Sequence, residues 1–277
     1  MVRLGIALGG GGAKGLAHVL MLEALDELGV QPVCVVGTSI GAVIGVQYCS
    51  GKSGREIRDS ITQMIARNDA SLREALTNKH LFKWLEFIAP QFDGTGLLKA
   101  EGFVSWLFES IQATSFEQLA IPLRVVAADF WSREELVLER GQLQPAILAS
   151  MSLPGLFSPV MIGDRVLVDG GAVNPVPFDL LPSDCTLTAA VDVIGQRGHA
   201  QGEPPSLSDA VFNTFQIMEK SIIRAKLHTR PPDIYVEIEA VDIRLLEFYK
   251  AHQVFAQATR AKDYFKRELE RQLLMQK

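Results

Sequence analysis

A chain of 277 residues, 48% apolar and 21% charged, is long enough to bury a large core and too apolar to stay disordered. Its formal net charge of −5 speaks against a binder that depends on phosphate contacts, so no nucleic-acid partner is expected. Three scattered cysteines without a C-x-x-C pair fit a reducing compartment. With no signal-like segment and no apolar run near the ~20 residues of a membrane span, the expected location is cytoplasmic, with peripheral membrane contact left open.

In chain order, Arg3–Leu8 reads as a first buried strand. It runs into Gly9–Gly12, then Ala13, Lys14 and Gly15, followed by a helix through Leu16, Val19, Leu20, Leu22 and Leu25 that Gly29 stops. Val33–Val36 is a second strand, valine-rich as a strand buried on both faces should be, and a small-residue helix starts at Ile40. This βαβα opening predicts a parallel sheet with right-handed crossovers. Residues 54–118 read as helical. Within them the aromatic-rich stretch His80–Ile88 is expected to pack on the core rather than act as a lid or lipid-facing patch.

Pro122–Asp129 and Glu135–Glu139 are the next strands, and Gln142–Met151 a helix that Leu153-Pro154-Gly155 breaks. Pro159–Ile162 and Arg165–Val168 flank Gly163-Asp164 as a hairpin, whose second arm ends in Asp169-Gly170-Gly171. Asn174-Pro175-Val176-Pro177 follows as an irregular loop. A strand at Thr188–Ile194, a surface loop over 195–206, a helix at Leu207–Leu227, a strand at Asp233–Ile238 and a helix at Gln253–Leu274 complete the chain. Repeats and low-complexity tracts are absent from the sequence.

Three loops carry chemistry. Gly37-Thr38-Ser39-Ile40-Gly41 matches G-x-S-x-G between a strand and a helix, a turn that lifts a serine hydroxyl clear of the sheet. Gly37 and Gly41 leave room for the sharp backbone. The amides of Gly10, Gly11 and Gly12 are candidate oxyanion donors, because successive glycines at a helix start form a concave anion site. Loops at the carboxyl ends of neighbouring parallel strands share a crevice, so the two should lie side by side. A dinucleotide fingerprint, Gly10-x-Gly12-x-x-Gly15, lacks the acidic residue required at the end of the second strand. A phosphate-binding P-loop needs Lys then Ser or Thr after its last glycine, where this chain has Gly15-Leu16. Lys14, a cation at a helix start, is either solvated or a tether to a nearby carboxylate.

The base is Asp169 on this reading. It follows an apolar strand, and two glycines after it let another backbone approach. Partial desolvation there raises a carboxyl pKa and suits it to accept the serine proton. The five histidines, His18, His80, His199, His228 and His252, sit in helical or loop segments where surface or packing roles are expected. A Ser…Asp…His triad built from Ser39, Asp169 and one of the last three is an alternative, although that fold places more strands before its elbow. Two further alternatives are a regulatory or interaction module with little turnover, and a divalent-metal site on Asp129, Asp169 and Asp192 for phosphoryl chemistry.

Taken in order, the Gly9–Gly15 loop, Gly37-Thr38-Ser39-Ile40-Gly41 and Asp169-Gly170-Gly171 resemble the patatin-like phospholipase family. Ala149-Ser150-Met151-Ser152-Leu153-Pro154 and Asn174-Pro175-Val176-Pro177 are similar to it too. The likeness spans about residues 4–195. Residues 205–277 carry no assignable motif and resemble only the helical tail of bacterial members. The resemblance implies a single domain over 1–277 with a three-layer α/β/α fold and a mainly parallel sheet. It implies a Ser–Asp dyad of Ser39 and Asp169, an oxyanion hole at Gly10–Gly12, and Lys14, Gly15, Gly37, Gly41, Gly170 and Gly171 as supporting positions. It further implies hydrolysis of acyl esters of lipids through an acyl-enzyme, without metal or other cofactor. Apolar residues near Leu153–Phe157 and Leu81–Phe87 are candidate acyl-chain contacts. Headgroup, chain length and oligomeric state are not legible.

Overall fold

A computed structural model describes residues 2–75, 111–195 and 207–276. It is a three-layer α/β/α arrangement around an eight-stranded sheet. The strands are β1 (Leu4–Leu8), β2 (Cys34–Thr38), β3 (Leu123–Asp129), β4 (Glu134–Leu138), β5 (Val160–Ile162), β6 (Arg165–Asp169), β7 (Leu187–Asp192) and β8 (Ile234–Glu237). The helices are α1 (His18–Glu27), α2 (Ile40–Cys49), α3 (Gly54–Ala75), α4 (Leu143–Ser150), α5 (Leu207–Thr229) and α6 (Ala251–Met275).

Strands β3, β2, β1, β7 and β8 run parallel, as the βαβα reading requires, while at one end β4 and β6 pair antiparallel with β3 and β5 pairs antiparallel with β6. Alternation along the central strands divides them between two cores. Leu4, Ile6, Leu8, Val35, Val125, Ala189 and Val191 pack with α1, α2 and α6 on one face. Ala7, Cys34, Val36, Val126 and Ala190 pack on the other with Phe178, Leu181 and Ile223 of α5. Helix α6 is anchored by fully buried Phe265 and Leu269, and Lys262 bridges it to Glu23 and Glu27 of α1. Among the described residues no helix is long and apolar enough to cross a membrane.

One feature of the sheet positions the site. Val125 and Val126 of β3 pair with β4 on one edge and with β2 on the other. Ala127–Asp129 also pair with β4, so β6 must use the edge that β2 occupies lower down. Strands β2 and β6 therefore meet head to head along one edge of β3. Thr38 is opposite Val126 and Asp169 is opposite Ala127, consecutive residues of the same strand. Whatever follows Thr38 must face the end of β6.

Two expectations need correction or lie elsewhere. Residues 111–118 are not helical in the α sense; they form an extended stretch and a short 3₁₀ turn at Phe116–Gln118, stapled by a reciprocal Ser115–Gln118 capping box. The stretch His80–Ile88 with its Leu81–Phe87 acyl contacts, His199 and most of the 195–206 loop fall outside the described residues.

Candidate active site

Ser39 is the residue between β2 and α2, with φ 54° and ψ −124°, a conformation that a side chain adopts only under constraint. The constraints are visible. The Ser39 amide donates to Ser150 Oγ at 2.9 Å, and the Ser150 hydroxyl donates to the Val126 carbonyl at 2.6 Å. Thr38 Oγ1 donates to the Asn174 carbonyl at 2.8 Å, pinning the turn from its other side. At Gly41 a Cβ would lie 2.0 Å from the Leu8 carbonyl oxygen, so α2 can leave the sheet at this angle only if position 41 is glycine. Gly37 and Gly15 are equally close-set, against Ala42 and Ile40.

Opposite the elbow, the Ser39 hydroxyl donates to Asp169 Oδ2 at 2.7 Å. Asp169 Oδ1 accepts the Gly171 amide at 2.7 Å, and the Asp169 amide donates to the Ser152 carbonyl at 3.0 Å. Gly170 allows this turn to press against the Val126 carbonyl, and Gly171 lies against Glu219 of α5. Asp169 is buried whereas Ser39 is half-buried, so the aspartate is the more shielded of the two. Burial pushes the Asp169 carboxyl up to about 6, and the bonds from Gly171 and Ser39 pull the other way without cancelling it. Among the described residues no cation pairs with it.

The glycine loop lies beside the elbow, since a Cβ on Gly10 would sit 3.4 Å from that of Ser39. The loop is riveted at three amides: Gly9 to Val191 O (3.0 Å), Gly10 to Pro175 O (2.9 Å) and Ala13 to Leu245 O (2.8 Å). The expected donors Gly10, Gly11 and Gly12 therefore narrow to Gly11 and Gly12, because the Gly10 amide is already taken up by Pro175. Among the described residues no main-chain acceptor engages those two amides. Lys14 is not solvated: it is buried, and its ammonium donates to the Ile194 carbonyl at 2.9 Å, tying the loop to the end of β7.

Sequence reasoning missed several supports. His18 is fully buried with Nε2 2.8 Å from the Gly9 carbonyl. A carbonyl only accepts, so Nε2 carries the proton and Nδ1, which has no partner among the described residues, is the bare nitrogen. Burial pushes this imidazole down to about 4, keeping it a neutral strut under the loop. Glu219 has no motif around it, yet it is buried against the Gly171 turn. Burial, with Asp169 and Asp192 nearby, holds its carboxyl well above the usual range. Signals for Ser150 and Pro175 did exist, in the two accessory stretches.

Among the described residues the alternative sites do not assemble. His228 and His252 are exposed on α5 and α6, and no described histidine bonds Asp169. Asp129 is held by Arg165 and the amides of Trp131 and Ser132, and Asp192 by Lys220 and Tyr235. Among the described residues no three His, Cys, Asp or Glu side chains converge as metal ligands.

The profile of the patatin-like phospholipases matches residues 6–182. The chain belongs to that family. An uncharacterized NTE family protein of Mycobacterium tuberculosis is 31% identical over 213 residues, 76% of this chain and 55% of the relative. Neuropathy target esterase sws of Drosophila melanogaster is 29% identical over 181 residues, 64% of this chain and 12% of that protein. This patatin-like chain thus spans about half the length of its mycobacterial relative. Among solved structures, VipD from Legionella pneumophila aligns at a TM-score of 0.49 and 16% identity, covering 95% of this chain and 67% of that one. The family match ends at Pro182, so Glu219 and all of α5 lie beyond it.

Proposed function

We propose that this patatin-like protein is a lipid acyl-ester hydrolase working through a two-residue Ser39–Asp169 dyad. The observation that carries the reading is the 2.7 Å bond from an accessible, strained serine to a buried carboxylate that no cation or histidine shares among the described residues. Family membership supports the same class of reaction.

Ser39 Oγ attacks the ester carbonyl as its proton passes to Asp169 Oδ2. Oxyanion charge develops toward the amides of Gly11 and Gly12 and the N-terminus of α2, whose dipole favours it. The neutral Asp169 then protonates the departing alkoxide, leaving the acyl group on Ser39. In the second half Asp169 takes a proton from water, whose oxygen attacks the acyl carbonyl, and Ser39 regains its proton as the acid leaves. A carboxyl with a pKa of about 6 suits both directions near neutrality.

The test is labelling with a fluorophosphonate, followed by peptide mass mapping. Adduct on Ser39, abolished by Ser39→Ala, together with release of fatty acid from phospholipid, lysophospholipid or acylglycerol, is the expected result. A chain that takes up no probe and hydrolyses none of these esters overturns the reading and favours an interaction module on the same fold.

A further inference from the structure

Strands β2 and β6 meet end to end without pairing with each other, so among the described residues no ladder bond joins the Ser39 turn to the Asp169 turn. Other bonds must span that break. One span comes from the end of α4, where Ser150 Oγ accepts the Ser39 amide and the Ser152 carbonyl accepts the Asp169 amide. A second is a single residue. The Asn174 amide donates to the Gly170 carbonyl at 2.8 Å, next to the base, and its carbonyl accepts Thr38 Oγ1 at 2.8 Å, next to the nucleophile. The carbonyl that follows, of Pro175, accepts the Gly10 amide of the glycine loop. Residues 174 and 175 thus bond to all three loops.

Asn174 lies outside any strand or helix, so its main chain needs another support, and its side chain supplies one. The side-chain amide is fully buried and fully engaged. Nδ2 donates to Glu135 Oε2 at 2.6 Å and to Asp179 Oδ1 at 3.1 Å, and Oδ1 accepts Lys226 Nζ at 2.5 Å. The partners come from β4, from the 3₁₀ turn Phe178–Leu180 and from α5, and Lys226 is itself paired with Asp179. Hydrogen bonds to charged groups are about twice as strong as neutral ones, so the residue is held from three directions. Aspartate here would set a third carboxyl against Glu135 and Asp179, and leucine, of similar size, would bond none of the three. We propose that Asn174 is a positioning residue of the dyad: its main chain sets the separation of the Ser39 and Asp169 turns, and its charged neighbours hold that main chain still. The proposal rests on the hydrolase reading and adds to it how the reacting pair is aligned. It also gives α5, beyond the family match, a hand in that alignment through Lys226.

The experiment uses the full chain with 4-nitrophenyl butanoate, and counts competent sites by the fraction of Ser39 that a fluorophosphonate labels. A misplacement near 1 Å costs about 10² in rate, so Asn174→Leu should lower kcat per labelled serine by about 10²-fold and leave KM within about threefold. Thr38→Val, which cuts the nucleophile side of the same link, should lower kcat by about tenfold alone and by little more when added to Asn174→Leu. Glu135 is exposed, so its variants test the network without opening the core. Glu135→Leu should lower kcat by about tenfold, and Glu135→Gln, which keeps an acceptor for Nδ2, should recover most of that loss. Folding is checked by thermal melt; should Asn174→Leu not fold, the Thr38 and Glu135 variants decide. Folded variants whose kcat per labelled serine stays within about twofold of wild type overturn the positioning role, as does a loss confined to Tm or to the labelled fraction, while wild-type turnover upholds the hydrolase. A wild-type chain with no turnover and no fluorophosphonate on Ser39 overturns the underlying reading and the positioning role with it.

Discussion

Strands β6 and β7 each finish in a buried aspartate, and the two ends are built for opposite purposes. Asp192 receives Lys220 Nζ at 2.6 Å, the Tyr235 hydroxyl at 2.7 Å and the Ile194 amide at 2.9 Å. Asp169 receives a serine hydroxyl and one amide, with no cation among the described residues. Helix α5 makes the difference with two consecutive residues about 100° apart around its axis. Lys220 reaches the β7 end, while Glu219, an acid, lies against the β6 turn. A buried carboxylate given an ammonium is a structural post; one denied it keeps a pKa close to the working pH.

Breaking the reactive end should have the largest effect. Ser39→Ala and Asp169→Asn are each expected to lower kcat/KM by roughly 10⁴–10⁶, and the double variant by about the same amount, because the pair acts as a unit. Strictly multiplicative losses would show two independent contributions. In wild type, kcat/KM should rise with pH through about 6, where Asp169 ionises, and stay level above it.

Breaking the structural end should leave a buried charge without its partner. Lys220→Met is expected to destabilise the fold by about 3–5 kcal/mol in urea titrations, since Asp192 is fully buried. A loss below 1 kcal/mol would mean that Tyr235 and the Ile194 amide suffice.

Asp169→Asn should, by contrast, stabilise. The native carboxyl binds its proton more tightly than the unfolded one, so ionisation costs the folded state stability as pH rises from about 4 to 6. Removing it gains up to about 3 kcal/mol above pH 6, fading toward pH 4, readable as Tm across that range. His18 works in the other sense: neutral and buried when folded, it loses stability as pH falls from about 6.5 toward 4. The variant should therefore show an acid sensitivity that the wild type masks. The smallest effect expected is from Ser39→Gly, a gain of about 1 kcal/mol from relief of the strained turn.

Most of the framework was legible because it is written in local signals. The strand boundaries, the Gly29 stop and the Gly163-Asp164 hairpin follow from periodicity and turn chemistry, and each lies within a few residues of its expected place. Ser39, Asp169 and the glycine loop were legible as motifs. Donor availability in that loop was not, because it depends on the Pro175 carbonyl, far along the chain, accepting the Gly10 amide. Lys14 resisted for the same reason, its partner lying 180 residues away. Glu219 reads in sequence as one more polar position on an amphipathic helix; only the sheet's turn beneath it makes it buried.

The head-to-head meeting of β2 and β6 has a consequence for how the chain comes to life. Its hydroxyl and carboxyl lie 130 positions apart, and Thr38, just before the first, and Asp169 are registered on adjacent residues of β3, which itself is made between them. A nascent or truncated polypeptide ending before β6 carries the nucleophile but has nothing to receive its proton. On the proposed hydrolase reading, reactivity thus switches on only when the sheet closes, and covalent probe uptake doubles as a reporter of complete folding.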